Sequence, residues 1–157
     1  MVFLESFYIP LLIAHLIATG VLLGSMTHNL VYVIGYLRGR FGPKRREARQ
    51  AAIMWWSYAV TYGIGALIYP AFRVHVRHEY LDAHLPWATG IFEVKEHWGA
   101  LAVAILCAYW AVRRAFDPEE DRALLWVYAP WCFLFNAIIW YKTIIGGLLT
   151  ILRGYWQ

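Results

Sequence analysis

Two histidines on separate apolar stretches are the residues best placed to do chemistry. His15 lies in the first apolar run and His97 at the start of the third. At ~1.5 Å per helical residue, His15 lies ~34 Å from Arg38 and His97 ~24 Å from Arg113. Two imidazoles at similar heights on facing helices are what a b-type haem iron needs as axial ligands. The sequence therefore predicts haem ligation by His15 and His97. The competing interpretation is that both are interfacial residues bonded to Tyr or Glu.

Basic and small residues near these histidines fit the same cofactor. Lys142, Arg73 and Arg77 could pair with haem propionates at the edge of the membrane. Gly20 and Gly24 lie on one face of the first apolar run, where missing side chains would let a flat macrocycle approach the backbone. The same glycines would equally let another helix approach.

His28 shares the glycine face but lies deeper, ~15 Å from Arg38. No second histidine occurs at that depth in the other apolar runs. His28 could ligate a five-coordinate haem, bond to a quinone carbonyl, or bond to Asn136 or a tyrosine. The last of these is favoured, because buried polar groups in lipid find protein partners.

A charged connector, 73–97, holds four of the six histidines. Its nitrogen and oxygen groups suggest a weaker, protein-ligated metal site at His75, His78, Asp82 and Glu93. The alternative is a solvated surface helix whose charges pair locally. At the end of the connector, Glu96 could pass protons to a quinone, orient His97, or pair with Lys95.

Four apolar segments must position these groups. The chain of 157 residues is 61% hydrophobic and 15% charged, against roughly 25% charged in soluble domains. The runs approach or exceed the ~20 residues that a spanning helix needs. We predict an all-α integral membrane protein with one domain, 1–157, and spans near 7–37, 51–72, 98–116 and 123–152. A short surface helix is expected in the 73–97 connector, ending before Pro86.

The basic residues predict how the bundle is oriented. Nine of the fourteen Lys and Arg residues lie in the connectors after the first and third runs. The positive-inside rule places these connectors in the cytoplasm. Both termini and the 73–97 connector would then face outside.

The first run, from Pro10 to Gly24 with His15 inside it, resembles the opening helix of small four-helix bacterial membrane proteins of the copper-resistance CopD-like group. In that group a histidine is followed by a stripe of small residues ending in glycine. The resemblance covers the first helix and the four-span plan. It implies a haem-binding or metal-linked bundle.

We therefore expect a membrane subunit of a bacterial inner-membrane complex. It would carry haem b near the outer, periplasmic face and relay electrons between quinol and a periplasmic redox partner. With no soluble domain to hold a catalytic apparatus, a subunit is favoured over a stand-alone enzyme. One alternative is a cofactor-free accessory subunit that docks other membrane subunits; another is a metal- or proton-translocating protein. Nothing indicates binding to nucleic acid, because the basic residues flank apolar runs.

Overall fold

The computed structural model describes residues 3–154, in which helices are joined by short turns and no strand occurs. A 3₁₀ turn, Glu5–Phe7, leads into α1, Tyr8–Leu37. The chain continues as α2 (Lys44–Phe72), a π-helical segment (Arg73–Leu81), the single turn α3 (Asp82–His84), α4 (Pro86–Ala115) and α5 (Arg122–Gly154). The predicted all-α class is confirmed.

The four long helices form a bundle. α1 packs along α2 and also against α5, while α4 packs against α5 and α2, so that α1 and α4 lie across the diagonal. Its core is formed by side chains from all four helices, among them Met26, Val33, Met54, Ile105, Tyr128 and Phe135. We call the end with the turns at 38–43 and 116–121 the basic end, and the end with the 73–85 connector the histidine end.

The outer surface of the bundle is apolar. Large side chains such as Leu16 and Ile17 are 70% and 64% exposed. Within residues 3–154, three helical stretches are long and apolar enough to cross a membrane: Glu5–Leu37, Lys44–His84 and Arg122–Leu152. α4 has a comparable length but carries charged residues near both ends. The membrane character is thus supported, whereas the count of four spans, the inner-membrane location and the outside termini stay predictions.

The 73–97 connector differs from the predicted loop with a separate surface helix. α2 runs on as helix through the π-helical segment to His84, and α4 begins at Pro86 rather than near Trp98. Only Leu85 leaves the helical conformation (φ −136°, ψ 63°). The residue before a proline avoids the α conformation, and proline suits the first position of a helix, so the Leu85-Pro86 step ends one helix and starts the next.

The extended connector is part of the packed structure. Val76 and Leu81 from the π-helical segment are buried against Ala88 and Phe92 of α4 and Leu149 of α5. A surface helix lying free on the membrane would leave these side chains exposed. Burial of this apolar face explains why the connector continues α2 instead of turning away from it.

Asp117 precedes a proline and two acids, a pattern typical of a helix cap, but α5 begins later, at Arg122. The Asp117 carboxylate instead accepts a bond from the Glu119 backbone N–H at 2.9 Å and pairs with the Lys44 ammonium at 2.9 Å. The Glu119 N–H and the Lys44 charge together lower the pKa of Asp117. Both contacts stabilise the charged form of the Asp117 carboxylate within the turn between α4 and α5.

α1 ends in a glycine turn. Gly39 has a φ of +75°. The Arg40 N–H donates to the Gly35 carbonyl at 2.9 Å, and the Gly39 N–H donates to the Tyr36 carbonyl at 2.9 Å. This pair of bonds is the Schellman motif, which requires a left-handed residue at the Gly39 position.

Replacing Gly39 with alanine is expected to lower the free energy of unfolding by about 1–2 kcal/mol, because a Cβ is strained at positive φ. Thermal or denaturant unfolding in detergent measures the loss. Gly42→Ala is the matched control, since Gly42 has an ordinary φ and open space around it. Equal effects of the two substitutions would contradict the assignment of the turn.

Candidate functional site

Each of the four long helices contributes one polar or charged side chain to a layer near the histidine end. These residues are His15 from α1, Thr61 from α2, Glu96 from α4 and Lys142 from α5, and we call them the polar layer. The His15 ring lies near the backbone of Thr61 and near the charges of Lys95, Lys142 and Glu96. The sequence singled out three of these residues separately, and the fold brings them together with Thr61.

The side chain of His15 extends from α1 towards α2. Its Cε1 lies 3.4 Å from the position that a Cβ on Gly65 would occupy, so the missing side chain makes room for the ring. The buried Nδ1 atom of His15 makes no hydrogen bond within residues 3–154. The imidazole therefore retains an unused polar atom inside the bundle.

Lys142 lies over another glycine. Its Nζ is 2.1 Å from the position that a Cβ on Gly99 would occupy, so no larger residue fits there while Lys142 keeps this position. Glu96 is engaged with Lys95 at 3.2 Å. The Lys142 ammonium itself makes no hydrogen bond or salt bridge with the described residues.

Unpartnered groups thus collect in the polar layer. The Thr61 hydroxyl is also buried without a partner in the described range, whereas the neighbouring Tyr58 hydroxyl donates to the Gly99 carbonyl at 2.7 Å. Buried polar atoms almost always find a protein or water partner. Two that lack one, on α1 and α2, together with a Lys142 ammonium that makes no bond to the described residues, indicate a place for water or a polar ligand.

The side chains of the two predicted haem ligands, His15 and His97, point in different directions. His97 is exposed, and its Nδ1 lies 2.7 Å from the Glu93 carbonyl. Gly99, two residues further along α4, is buried, so His97 lies on the opposite side of that helix from the bundle interior. His15 instead faces α2. Haem ligation by this pair stays a prediction.

The glycine face of α1 is open to the surroundings. A Cβ added to Gly20 or Gly24 would meet no neighbouring atom within 4 Å. His28 is exposed on the same helix, and its Nδ1 lies 2.8 Å from the Gly24 carbonyl. Its partner is therefore its own helix, not Asn136 or a tyrosine.

One histidine of the connector, His75, lies between two carboxylates. His75 lies 3.0 Å from the Glu5 carboxylate and 3.3 Å from that of Glu79. Arg77 pairs with the carboxylate of Glu93. Within residues 3–154 no group of three or more His, Cys, Asp or Glu side chains is arranged to hold a metal ion. The candidate ligands His75, His78, Asp82 and Glu93 are thus not gathered into such a group.

A small open pocket of about 290 Å³ lies at this end of the molecule. It is lined by Arg73, Val74, Arg77, His78 and Asp82. Arg77 lies 3.9 Å from Asp82, and the Asp82 carboxylate also accepts a bond from Thr89 at 2.7 Å. The pocket therefore combines basic and acidic groups that already engage one another.

Sequence reasoning missed a charged residue that is fully buried within the described range. Glu47, which the sequence places in a basic connector, is fully buried in the first turn of α2. Its carboxylate forms a salt bridge with Arg113 of α4. Asn29 of α1 donates to Glu47 at 2.9 Å. We call Glu47 and its partners the buried acid cluster.

Tyrosines complete the buried acid cluster. The Tyr128 hydroxyl donates to Glu47, the Tyr36 hydroxyl donates to it at 3.4 Å, and the Tyr109 hydroxyl donates to the Asn29 side-chain oxygen. The rings of Tyr109 and Tyr128 stack with centroids 4.3 Å apart. Each of these polar groups has a partner, so the buried acid cluster is suited to holding the helices in place.

A signal for Glu47 was present in the sequence. Glu47, Ala51, Met54 and Tyr58 follow the i, i+4, i+7, i+11 spacing of one helix face. The three later residues are apolar or aromatic, which places the acid on the buried side. The cluster of arginines around Glu47 concealed this pattern by suggesting a solvated segment.

No family model, curated protein or solved structure matches this chain significantly.

Glu47→Gln is expected to destabilise the fold by about 3–5 kcal/mol, because it leaves the largely buried Arg113 without its counter-charge. Thermal unfolding in detergent, followed by circular dichroism, measures the effect. Glu119→Gln is the matched control, since this exposed acid pairs with Lys44 on the surface and its loss should change little. A small effect of Glu47→Gln would show that water reaches Arg113.

Proposed function

We propose that this chain is a membrane subunit that binds a quinone head group in the polar layer and exchanges protons with it. The observation that carries the proposal is that the buried Nδ1 atom of His15 and the buried Thr61 hydroxyl have no partner in the described residues, while the Lys142 ammonium near them makes no hydrogen bond or salt bridge there. The chain would act inside a larger redox complex. Neighbouring subunits would supply the other electron carriers.

The types of group in the polar layer suit both redox states of a quinone. The Lys142 ammonium and the Thr61 hydroxyl can donate hydrogen bonds to carbonyl oxygens of the oxidised ring. Conversely, a quinol hydroxyl can donate to the His15 nitrogen or to the Glu96 carboxylate, each of which can take a proton. A head group entering the layer would satisfy the groups that the protein leaves without partners.

The surroundings also favour a lipid-soluble ligand. Apolar side chains cover the outside of the bundle at this height, including Leu12, Leu16 and Ile144. The missing side chains of Gly65 and Gly99 let the His15 ring and the Lys142 ammonium lie close to the neighbouring helices. A ligand with an apolar tail and a polar ring could therefore reach the layer between helices from the membrane.

Lys142→Ala should weaken binding of a short-tailed benzoquinone about tenfold or more, because it removes a hydrogen bond from a charged donor, which contributes about 1.5–3 kcal/mol. His15→Ala should weaken binding of the corresponding quinol about fivefold, because it removes a neutral acceptor that contributes about 1 kcal/mol. Titration calorimetry of the detergent-solubilised protein measures the affinity. The melting temperature of each variant, measured in the same detergent, separates loss of binding from loss of fold.

His84→Ala is the control for this experiment. His84 lies at the same end, is exposed, and bonds through Nδ1 to the Tyr80 carbonyl at 3.1 Å. Its removal should leave quinone affinity unchanged. If the wild-type protein binds no quinone, the cofactor-free accessory role becomes the better interpretation.

Haem b is a second candidate, favoured by the geometry of His97. Its Nδ1 is engaged with the Glu93 carbonyl, which leaves Nε2 available in the way that ligating histidines usually present it. Because His97 faces outward, such a haem would lie at the edge of the bundle. A neighbouring subunit would then cover it.

A reduced-minus-oxidised spectrum with a pyridine haemochrome assay tests the haem candidate. If the sequence-based pair is right, His15→Ala and His97→Ala each abolish low-spin haem, while His28→Ala leaves the spectrum intact. Loss with His97→Ala alone would point to a second ligand from another subunit. A flat spectrum of protein produced with sufficient haem would exclude the candidate.

A further inference from the structure

An apolar groove runs along the outside of the bundle between α1 and α2. Its volume is about 430 Å³, and it is open along its length. α1 contributes Ala18 and Val21 to its lining. α2 contributes Arg49, Ala52, Ile53, Trp56, Ser57 and Val60.

Side-chain sizes explain the groove. Ala18 and Ala52 are small and partly buried, while Val21 and Trp56 are 49% and 64% exposed and stand beside them as walls. From Arg49 to Val60 the groove follows α2 for about 16 Å at 1.5 Å per residue. That is about half of the roughly 30 Å hydrocarbon core, the depth of one leaflet.

A positive charge stands at one end of the groove. No polar surface lines the groove, so Arg49 contributes its hydrocarbon stem and its guanidinium extends beyond it. Arg45 and Arg46, one turn earlier on α2, are exposed as well. None of these three arginines has an ion-pair partner in the described part of the chain, whereas nearby Lys44 is paired with Asp117.

We propose that this groove binds one acyl chain of an anionic phospholipid from the leaflet at the basic end, with the lipid phosphate on Arg49. The apolar lining fits the chain, and the unpaired guanidinium fits the phosphate at the height where the chain begins. This site does not depend on the quinone proposal, because the groove lies on the outside of the bundle and its charged residue, Arg49, is at the basic end.

Charge also argues against a second copy of the protein in the groove. Two copies related by an axis along the membrane normal would bring the same arginines to the same height. Like charges facing each other across an interface disfavour it. An anionic lipid instead neutralises this cluster.

The test is native mass spectrometry of the whole protein in a mild detergent. It is titrated with phosphatidylglycerol and with phosphatidylcholine that carries identical acyl chains. The wild-type protein should bind phosphatidylglycerol more tightly. Arg49→Gln should weaken phosphatidylglycerol binding about fivefold, the contribution expected of one basic residue at a lipid surface, and remove the preference.

Two further variants separate the contributions of groove and charge. Ala52→Phe fills the groove and should weaken binding of both lipids, whereas Ala104→Phe, on an exposed face of α4, should change neither. Arg38→Gln removes an exposed charge at the same end but outside the groove. It should leave most of the preference in place.

Several results would overturn the proposal. One is equal binding of the two lipids by the wild-type protein, and another is equal losses from Arg49→Gln and Arg38→Gln, which would indicate diffuse electrostatic attraction. A third is unchanged lipid binding by Ala52→Phe. If Ala52→Phe converts a dimer to a monomer without changing the lipids bound, the occupant is a second copy. Melting temperatures of all variants show that each is folded.

Discussion

A buried carboxylate in an apolar bundle sets the arrangement of the basic end. Glu47 is fully buried, and a surrounding lipid phase offers no hydrogen bonds, so the protein must supply every partner itself. Those partners come from the other three long helices: Asn29 and Tyr36 from α1, Arg113 from α4 and Tyr128 from α5. Rotation or sliding of any helix would leave a charge or hydroxyl unpaired. One acid therefore fixes the register of the bundle.

The histidine end follows the opposite rule. There the polar layer brings an ammonium, an imidazole and a hydroxyl together without completing their contacts. A fold held firmly at one end can tolerate incomplete contacts at the other, because one under-satisfied site costs less than the bundle gains from packing. Ligand-binding sites commonly contain polar groups without protein partners, whereas in structural clusters every polar group has a partner.

The sequence predicted the helices better than the contacts between them. Apolar runs and basic connectors placed α1 and α5 closely, since hydropathy records which segments avoid water. The start of α4 at Pro86 was missed because the charged stretch up to His97 looked solvated, although its spacing also suits a helix with one buried face, where Ala88 and Phe92 lie.

The contacts of individual residues were harder to predict. His15 and Lys142 were identified, but which residues they face depends on helix rotation, which a single apolar sequence leaves open. For the same reason Glu47, in a basic run, gave no sign of its buried partners.

The one-residue break at Leu85 has a consequence for how the polar layer is reached. α3 ends at His84 and α4 begins at Pro86, so the chain reverses with no loop that could open and close. Val76 and Leu81 pack beneath this reversal against Phe92. This reversal therefore covers its side of the histidine end with packed side chains, and a molecule that binds in the polar layer would enter and leave between the helices, from the membrane. Solubility in lipid, more than size or charge, would then decide which molecules arrive.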